Sequence, residues 1–342
     1  MTLQDAFLRQ ARACDGLGSP FMAQLLHLLA AHWHDGLPLA AKFAGFSGDI
    51  GPSGASLPLR LAGGLHALVL SGRDAALAAV YPPQRADDAA LWQAVEAAMT
   101  THADFLDRWC DSPPQTNELR RSIALIAAGH ALTRRFGLPI VLSELGASGG
   151  LNLIWDRYAL DIDGQVWGPD RPVLTLSPDW DGPLPPQALP RVIERAGVDL
   201  NPLDPKDPDD ALRLLAYLWA DQPERLARSR AAIAVQDTPV DKGDAIDWLE
   251  ARLARPRPGA LHLIYHTVAW QYFPPAAQAR GTALIEAAGA RAGADAPLAW
   301  LGMENDGDDL GAGLSLRLWP GDERHALARV DFHGRWMRWA GM

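Results

Sequence analysis

The chain has little cysteine and no long hydrophobic run. Its only cysteines, Cys14 and Cys110, are too few for a disulfide framework and do not form a C-x-x-C zinc or redox motif. No stretch reaches the roughly 20 apolar residues of a membrane helix, and the first residues lack a basic segment followed by an apolar one. We therefore expect a cytoplasmic protein with reduced thiols.

Positive charge is also in deficit. The formal net charge is −10 at pH 7 and the isoelectric point is near 5.4. Nucleic acid and anionic membranes would repel such a protein at long range. We expect a small-molecule substrate and neither a nucleic-acid nor a membrane partner.

The 342 residues are more than one domain usually needs, and their pattern changes near Pro139. Apolar residues at helical spacing predict helices at 21–33, 89–110 and 116–137. Beyond that point LPIVLSEL (138–145) reads as a buried strand, and strand and helix patterns then alternate. This order predicts an α/β protein with a Rossmann-like, mostly parallel sheet. We expect a helical lid domain over 1–137 and the α/β domain over 138–342.

Two local features are predicted after the first strand. The segment LNLIWDRY, which follows a glycine-rich turn, is expected to begin a helix. YALDIDGQVWG (158–168) alternates around Asp163-Gly164, a strong hairpin signal. We therefore expect a hairpin insertion near 158–190.

The glycine-rich turn SELGASGG (143–150) has two interpretations. Gly146 to Gly150 spell G-x-S-x-G, which would make Ser148 the nucleophile of an α/β-hydrolase. The remaining triad members would then be Glu304 or Asp306, and His325 or His333. A hydrolase, however, builds much of its sheet before the serine, and the preceding 137 residues read mainly as helix. The alternative is a strand-end loop whose small residues cradle a ligand.

The cradle interpretation leads to a resemblance to class I S-adenosylmethionine-dependent methyltransferases. SELGASGG is similar to the acid-x-G-x-G-x-G loop of that family, with Ser148 replacing the middle glycine. AGVDLNP (196–202) and KGDAIDWL (242–249) are similar to the ends of its second and third strands. The resemblance implies S-adenosylmethionine as cofactor. Its implied contacts are Glu144, Gly146, Ser148 and Gly150 in the loop, Asp199 at the ribose, and Asp244 and Ala245 at the adenine.

The spacing of the ribose-binding acid leaves an alternative. Asp199 lies 53 positions after Gly146 (199 − 146), whereas a direct strand–helix–strand step places this acid about 20 residues on. Asp161 or Asp163 would be closer. We favour Asp199 because its flanking residues look more like a strand and its exit.

A second resemblance spans nearly the whole chain. It rests on QTNELRR (115–121), the ELGASGGLNL run, DRY at 156–158, WG at 167–168, and GVDLNPLD followed by LWADQPERL (218–226). Together these resemble the uncharacterised bacterial domain-of-unknown-function family 2332. That family supplies no activity.

His266 is the candidate catalytic base. It lies in IYHTVAWQYF (264–273), at the expected end of the fourth strand, and an unperturbed histidine titrates near neutrality. The alternative is a histidine hydrogen-bonded for structure. The segment lacks the Asn/Asp-Pro-Pro-aromatic motif of enzymes that methylate amino nitrogens. His262 and His266 have no accompanying carboxylates or thiols, so we predict no metal site.

Further polar and aromatic residues could line a substrate pocket, although ion pairing and packing would also explain them. They are Asn117, Glu118, Asp156, Arg157, Trp270 and Tyr272. The leading hypothesis is methyl transfer to a small or compact substrate. The alternatives are a methyltransferase-like protein that binds its ligand without turnover and, third, the serine hydrolase.

Overall fold

The structure, a computed structural model, describes residues 1–51 and 54–342. It divides the chain into two compact units, Met1–Thr116 with Lys206–Arg230, and Asn117–Pro205 with Ala231–Met342. This division differs from the expected boundary after residue 137. Ile123 and Leu132 are buried in one core with the strand residues Ile140 and Leu142, whereas Tyr217 is buried in the core of the first unit.

The first unit is built from helices throughout its described residues. The predicted helix 21–33 is confirmed, whereas the pattern at 89–110 forms two helices that meet at His102. Every helix that the structure describes is too short or too polar to span a bilayer. The helices of this unit are α1 (Leu3–Gly16), α2 (Pro20–His32), α3 (Ala40–Ala44), α4 (Leu57–Leu70), α5 (Ala75–Ala78), α6 (Asp88–Thr101), α7 (Ala103–Trp109), α9 (Pro208–Ala216) and α10 (Pro223–Ile233, whose residues up to Arg230 belong here).

The second unit contains three helices and twelve strands in its described residues. The helices are α8 (Ser122–Phe136), α11 (Ala245–Leu253) and α12 (Pro275–Gly289). The strands are β1 (Ile140–Leu145), β2 (Ala159–Ile162), β3 (Gln165–Trp167), β4 (Thr175–Leu176), β5 (Asp179–Asp181), β6 (Val192–Asp199), β7 (Val240–Lys242), β8 (Leu261–Thr267), β9 (Leu298–Glu304), β10 (Ala312–Trp319), β11 (Glu323–Val330) and β12 (Trp336–Trp339).

Nine strands form one sheet in the order β5-β12-β11-β10-β9-β8-β1-β6-β7. The neighbouring strands β7, β6, β1, β8 and β9 pair in parallel. The strands β9, β10, β11 and β12 pair antiparallel, each with the next in the sequence. The predicted α/β class with a large, mostly parallel sheet is therefore confirmed.

The connection from β1 to β6 contains a separate small sheet. β2 and β3 form the predicted hairpin around Asp163-Gly164, where both residues have positive φ. β4 pairs in parallel with the other edge of β2. Trp167 and Tyr158 are fully buried beside this sheet and anchor it to the main core.

The expected helix at LNLIWDRY is wrong. Residues 146–154 form successive turns, followed by the 3-10 turn Trp155–Arg157. The physical reason is that side chains bind its backbone groups. Asn117 accepts a hydrogen bond from the Leu151 N–H, and Tyr158 donates one to the Leu151 carbonyl. These bonds replace those that a helix would make with itself.

Candidate functional site

The predicted site residues converge on one edge of the main sheet. β1, β6, β7, β8 and β9 run parallel, so their carboxyl ends lie on the same side. In open α/β sheets ligands bind at this edge. Here β1 leads into the glycine loop, defined as residues 146–152, and β6 ends at Asp199.

Three residues of the glycine loop adopt left-handed backbone conformations. The φ angles are 73° at Gly146, 53° at Ser148 and 69° at Gly150. A Cβ at Gly146 would lie 2.5 Å from the Ala269 Cβ, and one at Gly150 would lie 2.2 Å from Gln236 Nε2. Both glycines are thus required by conformation and by close packing against the protein itself.

Asp199 is the acid that contacts this loop. Its Oδ2 accepts a hydrogen bond from the Ser148 N–H at 2.9 Å, and its Oδ1 accepts one from the Asn201 N–H at 2.9 Å. Asp161 instead accepts from the Gly164 N–H inside the β2–β3 turn, which also contains Asp163. The structure therefore brings two motifs that are distant in sequence into direct contact at the sheet edge.

The Ser148 hydroxyl is buried and has no hydrogen-bond partner in the described chain. The residue is 6% exposed. A hydrolase nucleophile needs a histidine within hydrogen-bond reach. Of the residues expected to complete a triad, Glu304 is bound to His266, and His325 pairs with Glu323 at 3.4 Å. No triad is assembled around Ser148 among the described residues.

Glu144 lies in β1 beneath the glycine loop and is 2% exposed. Burial raises its pKa well above its usual range; the Tyr265 hydrogen bond opposes this rise and the Asp199 charge adds to it. The Tyr265 hydroxyl lies 3.3 Å from both Glu144 Oε2 and the Asn152 carbonyl oxygen. Tyr265 donates its one hydroxyl proton toward these two acceptors.

The start of the helical segment before β1 contacts the far end of the loop. Asn117 Oδ1 accepts from the Leu151 N–H at 2.9 Å, and the Glu118 carbonyl accepts from Asn152 Nδ2 at 3.1 Å. Ser122 donates its hydroxyl proton to Asn152 Oδ1 at 2.8 Å. Asn117 and Glu118 were predicted to line a substrate pocket; in the structure these groups support the loop.

Gln236 also holds the glycine loop, although no sequence pattern indicates this role. Its Nε2 donates to the Gly150 carbonyl at 2.8 Å and to the Gly149 carbonyl at 3.3 Å. Its Oε1 accepts from the Thr238 N–H at 3.0 Å. An isolated glutamine between a helix and a short strand belongs to no motif, and only the fold reveals its role.

Asp156 and Arg157, also predicted at a pocket, form ion pairs. Asp156 accepts from Arg195 at 2.7 Å, and Arg157 binds both carboxylate oxygens of Asp237, at 2.9 and 3.1 Å. Burial raises the pKa of Asp156, although Arg195 opposes the shift, and the bond from Arg157 lowers the pKa of Asp237. These pairs tie the β1–β6 connection to β6 and to the segment before β7.

Asp244 and Ala245 begin α11, just beyond the end of β7. Asp244 is its N-cap and accepts from the Ile246 N–H at 2.9 Å and the Asp247 N–H at 3.1 Å. The Asp244 carboxylate is exposed and Ala245 is buried. Asp244 thus has a structural function in the helix and keeps an open side toward solvent.

Both ring nitrogens of His266 are engaged. Nδ1 lies 2.7 Å from Glu304 Oε1, and Nε2 lies 2.9 Å from the indole nitrogen of Trp300. Because an indole N–H only donates, Nε2 accepts and the imidazole proton sits on Nδ1, where Glu304 receives it. His266 can act as a base only if it first gives up the bond from Trp300.

Glu304 fixes the segment that leaves β8. Its Oε1 also accepts from the backbone N–H groups of Ala269 at 3.0 Å and Trp270 at 3.1 Å. Burial opposes ionisation of Glu304, but the His266 bond and these amides outweigh it and lower the pKa. Trp270 stacks on the His266 ring at 5.1 Å, and Tyr272 is 72% exposed.

Metal ligands do not cluster in the described ranges 1–51 and 54–342, where no group of three His, Cys, Asp or Glu side chains could hold an ion.

Comparison with known proteins adds one assignment. A family model described as "Uncharacterized protein conserved in bacteria (DUF2332)" matches residues 4–339. The chain belongs to this family. No curated protein and no solved structure matches it. The DUF2332 match covers the glycine loop, Asp199 and the His266–Glu304 pair, but its description gives no activity.

Proposed function

We propose that this DUF2332 protein is an S-adenosylmethionine-dependent methyltransferase that acts on a small or compact substrate. The observation that carries the proposal is the hydrogen bond between the Ser148 N–H and Asp199. It joins the glycine loop after β1 to the acid that ends the neighbouring parallel strand. A carboxylate beside a glycine-rich turn suits a ligand with ribose hydroxyls.

The residues at the edge fit such a ligand. Asp199 accepts backbone hydrogen bonds from Ser148 and Asn201, and a carboxylate at this edge is the kind of acceptor that ribose hydroxyls need. The buried Ser148 hydroxyl lacks a protein partner. Asp244 and Ala245, beyond the next strand, would contact the adenine. When bound, S-adenosylmethionine supplies an electrophilic methyl group on a sulfonium.

The chain's own contribution would be alignment of the substrate with that methyl group. Glu304 fixes His266 and the backbone of Ala269 and Trp270, which positions the Trp270 ring. Since Nε2 of His266 is engaged by Trp300, we assign His266 a positioning function. Substrates whose nucleophile needs no deprotonation by a histidine are the best match, because alignment alone can accelerate their reaction.

The test is calorimetric titration of purified protein with S-adenosylmethionine and S-adenosylhomocysteine. Asp199→Asn keeps an oxygen for the turn but loses the charge, and should weaken binding about 10- to 150-fold, as expected for a lost hydrogen bond to a charged group. Asp161→Asn is the matched control, because Asp161 lies in the hairpin and also accepts one backbone N–H. Equal affinity of both variants, or no binding by folded wild type, would refute the assignment.

Binding without turnover is the second candidate function. The engagement of both His266 nitrogens favours it, because no histidine base is then available at this position. Incubation with S-adenosylmethionine and a broad metabolite panel, analysed by mass spectrometry, separates the two functions. Methylated product supports the enzyme, whereas tight binding with no product supports the binding protein.

A further inference from the structure

A groove opens at the opposite edge of the main sheet, where β8 and β9 begin and where α11 and α12 end. We call it the amino-edge groove, and its volume is about 340 Å³. It is distant in the fold from the strand ends that carry Asp199 and Glu304, because β8 and β9 run parallel. Its principal lining residues are Leu253, Arg255, Arg257, His262, Arg291 and Leu298.

The groove has an excess of positive charge. Arg255, Arg257 and Arg291 line it. Arg257 donates to both oxygens of Glu194, at 2.8 and 3.1 Å. Glu194 also accepts a hydrogen bond from Arg252 at 2.6 Å. One carboxylate is thus shared between two guanidinium groups, and Arg255 and Arg291 add two further cations.

The negative ends of two helices and a nearby acidic side chain offset only part of this positive charge. The C-termini of α11 and α12 each carry about half a negative charge, and Arg291 donates to the Ala287 carbonyl at the end of α12. Asp295 lies beside the wall formed by Ala296 and is exposed. Together with Glu194 these groups still leave the arginines in excess, so an added anion would be attracted.

A buried histidine adds a directed donor. Ser143 Oγ accepts from Arg252 Nε at 3.2 Å and lies 2.8 Å from His262 Nε2. When the serine donates its proton to that nitrogen, a neutral His262 carries its own proton on Nδ1. The residue is 5% exposed and lines the groove. Burial and the charges of Arg252 and Arg257 lower the pKa of His262 to about 3, which keeps the ring neutral.

The remaining wall is apolar. Leu253 and Pro256 form one side, and Pro297 and Leu298 lie at the start of β9. Small residues of α12, including Ala288 and Ala292, leave the space between them open. A ligand that fills the groove would therefore bury apolar surface as well as meet the cations.

We propose that the amino-edge groove binds an organic carboxylate, in which the anionic group is carried on an apolar body. The anionic group would lie among Arg255, Arg291 and the Nδ1–H of His262, with the apolar body against Leu253 and Leu298. This site is separate from the proposed methyltransferase site and does not depend on it.

The test is calorimetric titration of the full chain with octanoate, inorganic phosphate and hexanol. Octanoate carries both features, phosphate only the charge and hexanol only the apolar body. We expect octanoate to bind more tightly than either, and Arg255→Ala/Arg291→Ala to weaken it at least about tenfold. Arg134→Ala, an exposed arginine outside the groove, should leave the affinity unchanged.

A second readout places the ligand at the histidine. In nitrogen-15 spectra of the histidine side chains, octanoate should shift the Nδ1 resonance of His262 in wild type. No octanoate binding, binding unaffected by the double arginine variant, or a silent His262 resonance would each overturn the proposal. If phosphate binds as tightly as octanoate, the apolar body contributes nothing to binding. If hexanol binds as tightly as octanoate, the anionic group contributes nothing. Either result also overturns the proposal.

Discussion

Gln236→Leu provides a sharp test of how the glycine loop is held. Gln236 is 3% exposed and binds two loop carbonyls and the Thr238 N–H. Leucine has a similar size but offers no hydrogen bond. The substitution would leave the Gly149 and Gly150 carbonyls and one N–H without this partner, so the loop should lose stability.

The magnitude follows from burial. Each buried polar group left unpaired costs roughly 1–3 kcal/mol. The bond to Gly150 is short and buried, the bond to Gly149 is longer at 3.3 Å, and Thr238 is half-buried and can be hydrated. We therefore expect the free energy of loop opening to fall by about 2–5 kcal/mol in total.

Gln278→Leu is the matched control. Gln278 Nε2 also donates to two backbone carbonyls, those of Trp270 at 2.8 Å and Phe273 at 3.1 Å, but its side chain is half-buried. Water can replace these bonds, so the change should cost about 1 kcal/mol or less.

The assay is native-state hydrogen exchange of peptides that cover the glycine loop, which reports local opening in a chain with two compact units. We expect faster exchange of the loop in Gln236→Leu and little change there in Gln278→Leu. Equal effects of the two substitutions on the loop would show that Gln236 does not hold it.

Three further substitutions have defined outcomes. Ser148→Gly removes a left-handed serine conformation worth roughly 1–2 kcal/mol but adds backbone entropy to the unfolded chain, so thermal denaturation should shift little while cofactor affinity falls at most about tenfold. Glu304 has a lowered pKa in the folded protein, so its stabilisation is full above about pH 4.3 and is lost as pH falls through the folded-state pKa. Glu304→Gln should therefore flatten the acid limb of a stability–pH curve; an unchanged limb would contradict this. Glu144 has a raised pKa, so its contribution is full below about pH 4.3 and declines as pH rises toward the folded-state pKa. The stability of Glu144→Gln relative to wild type should therefore rise as pH increases. Parallel stability–pH curves of the two proteins would contradict a raised pKa of Glu144.

Much of the second unit could be predicted from periodicity. The strand at 138–145, the hairpin at Asp163-Gly164 and the buried strand at 260–268 all formed where apolar runs and turn residues indicated them. The helix expected after the glycine loop did not form, because Asn117, from a distant part of the chain, binds the Leu151 N–H and Gln236 binds the Gly150 carbonyl just before it. Such long-range bonds leave no local pattern in a sequence.

The site was predictable where chemistry is local and unpredictable where partners come from afar. The spacing of glycines indicated a strand-end turn, and the pairing of β1 with β6 then brought Asp199 to it. The role of His266 could not be inferred, since its partners Trp300 and Glu304 lie in another strand. A histidine in the sequence does not show whether its ring can act as a base or is hydrogen-bonded at both nitrogens.

The most direct measurement for the central claim is ultraviolet cross-linking of S-adenosylmethionine to the full chain, with the labelled peptide identified by mass spectrometry. The account predicts label within residues 143–152 or 196–203, and less label in Asp199→Asn. Label confined to other peptides, or none on folded protein at saturating ligand, would contradict binding at the glycine loop.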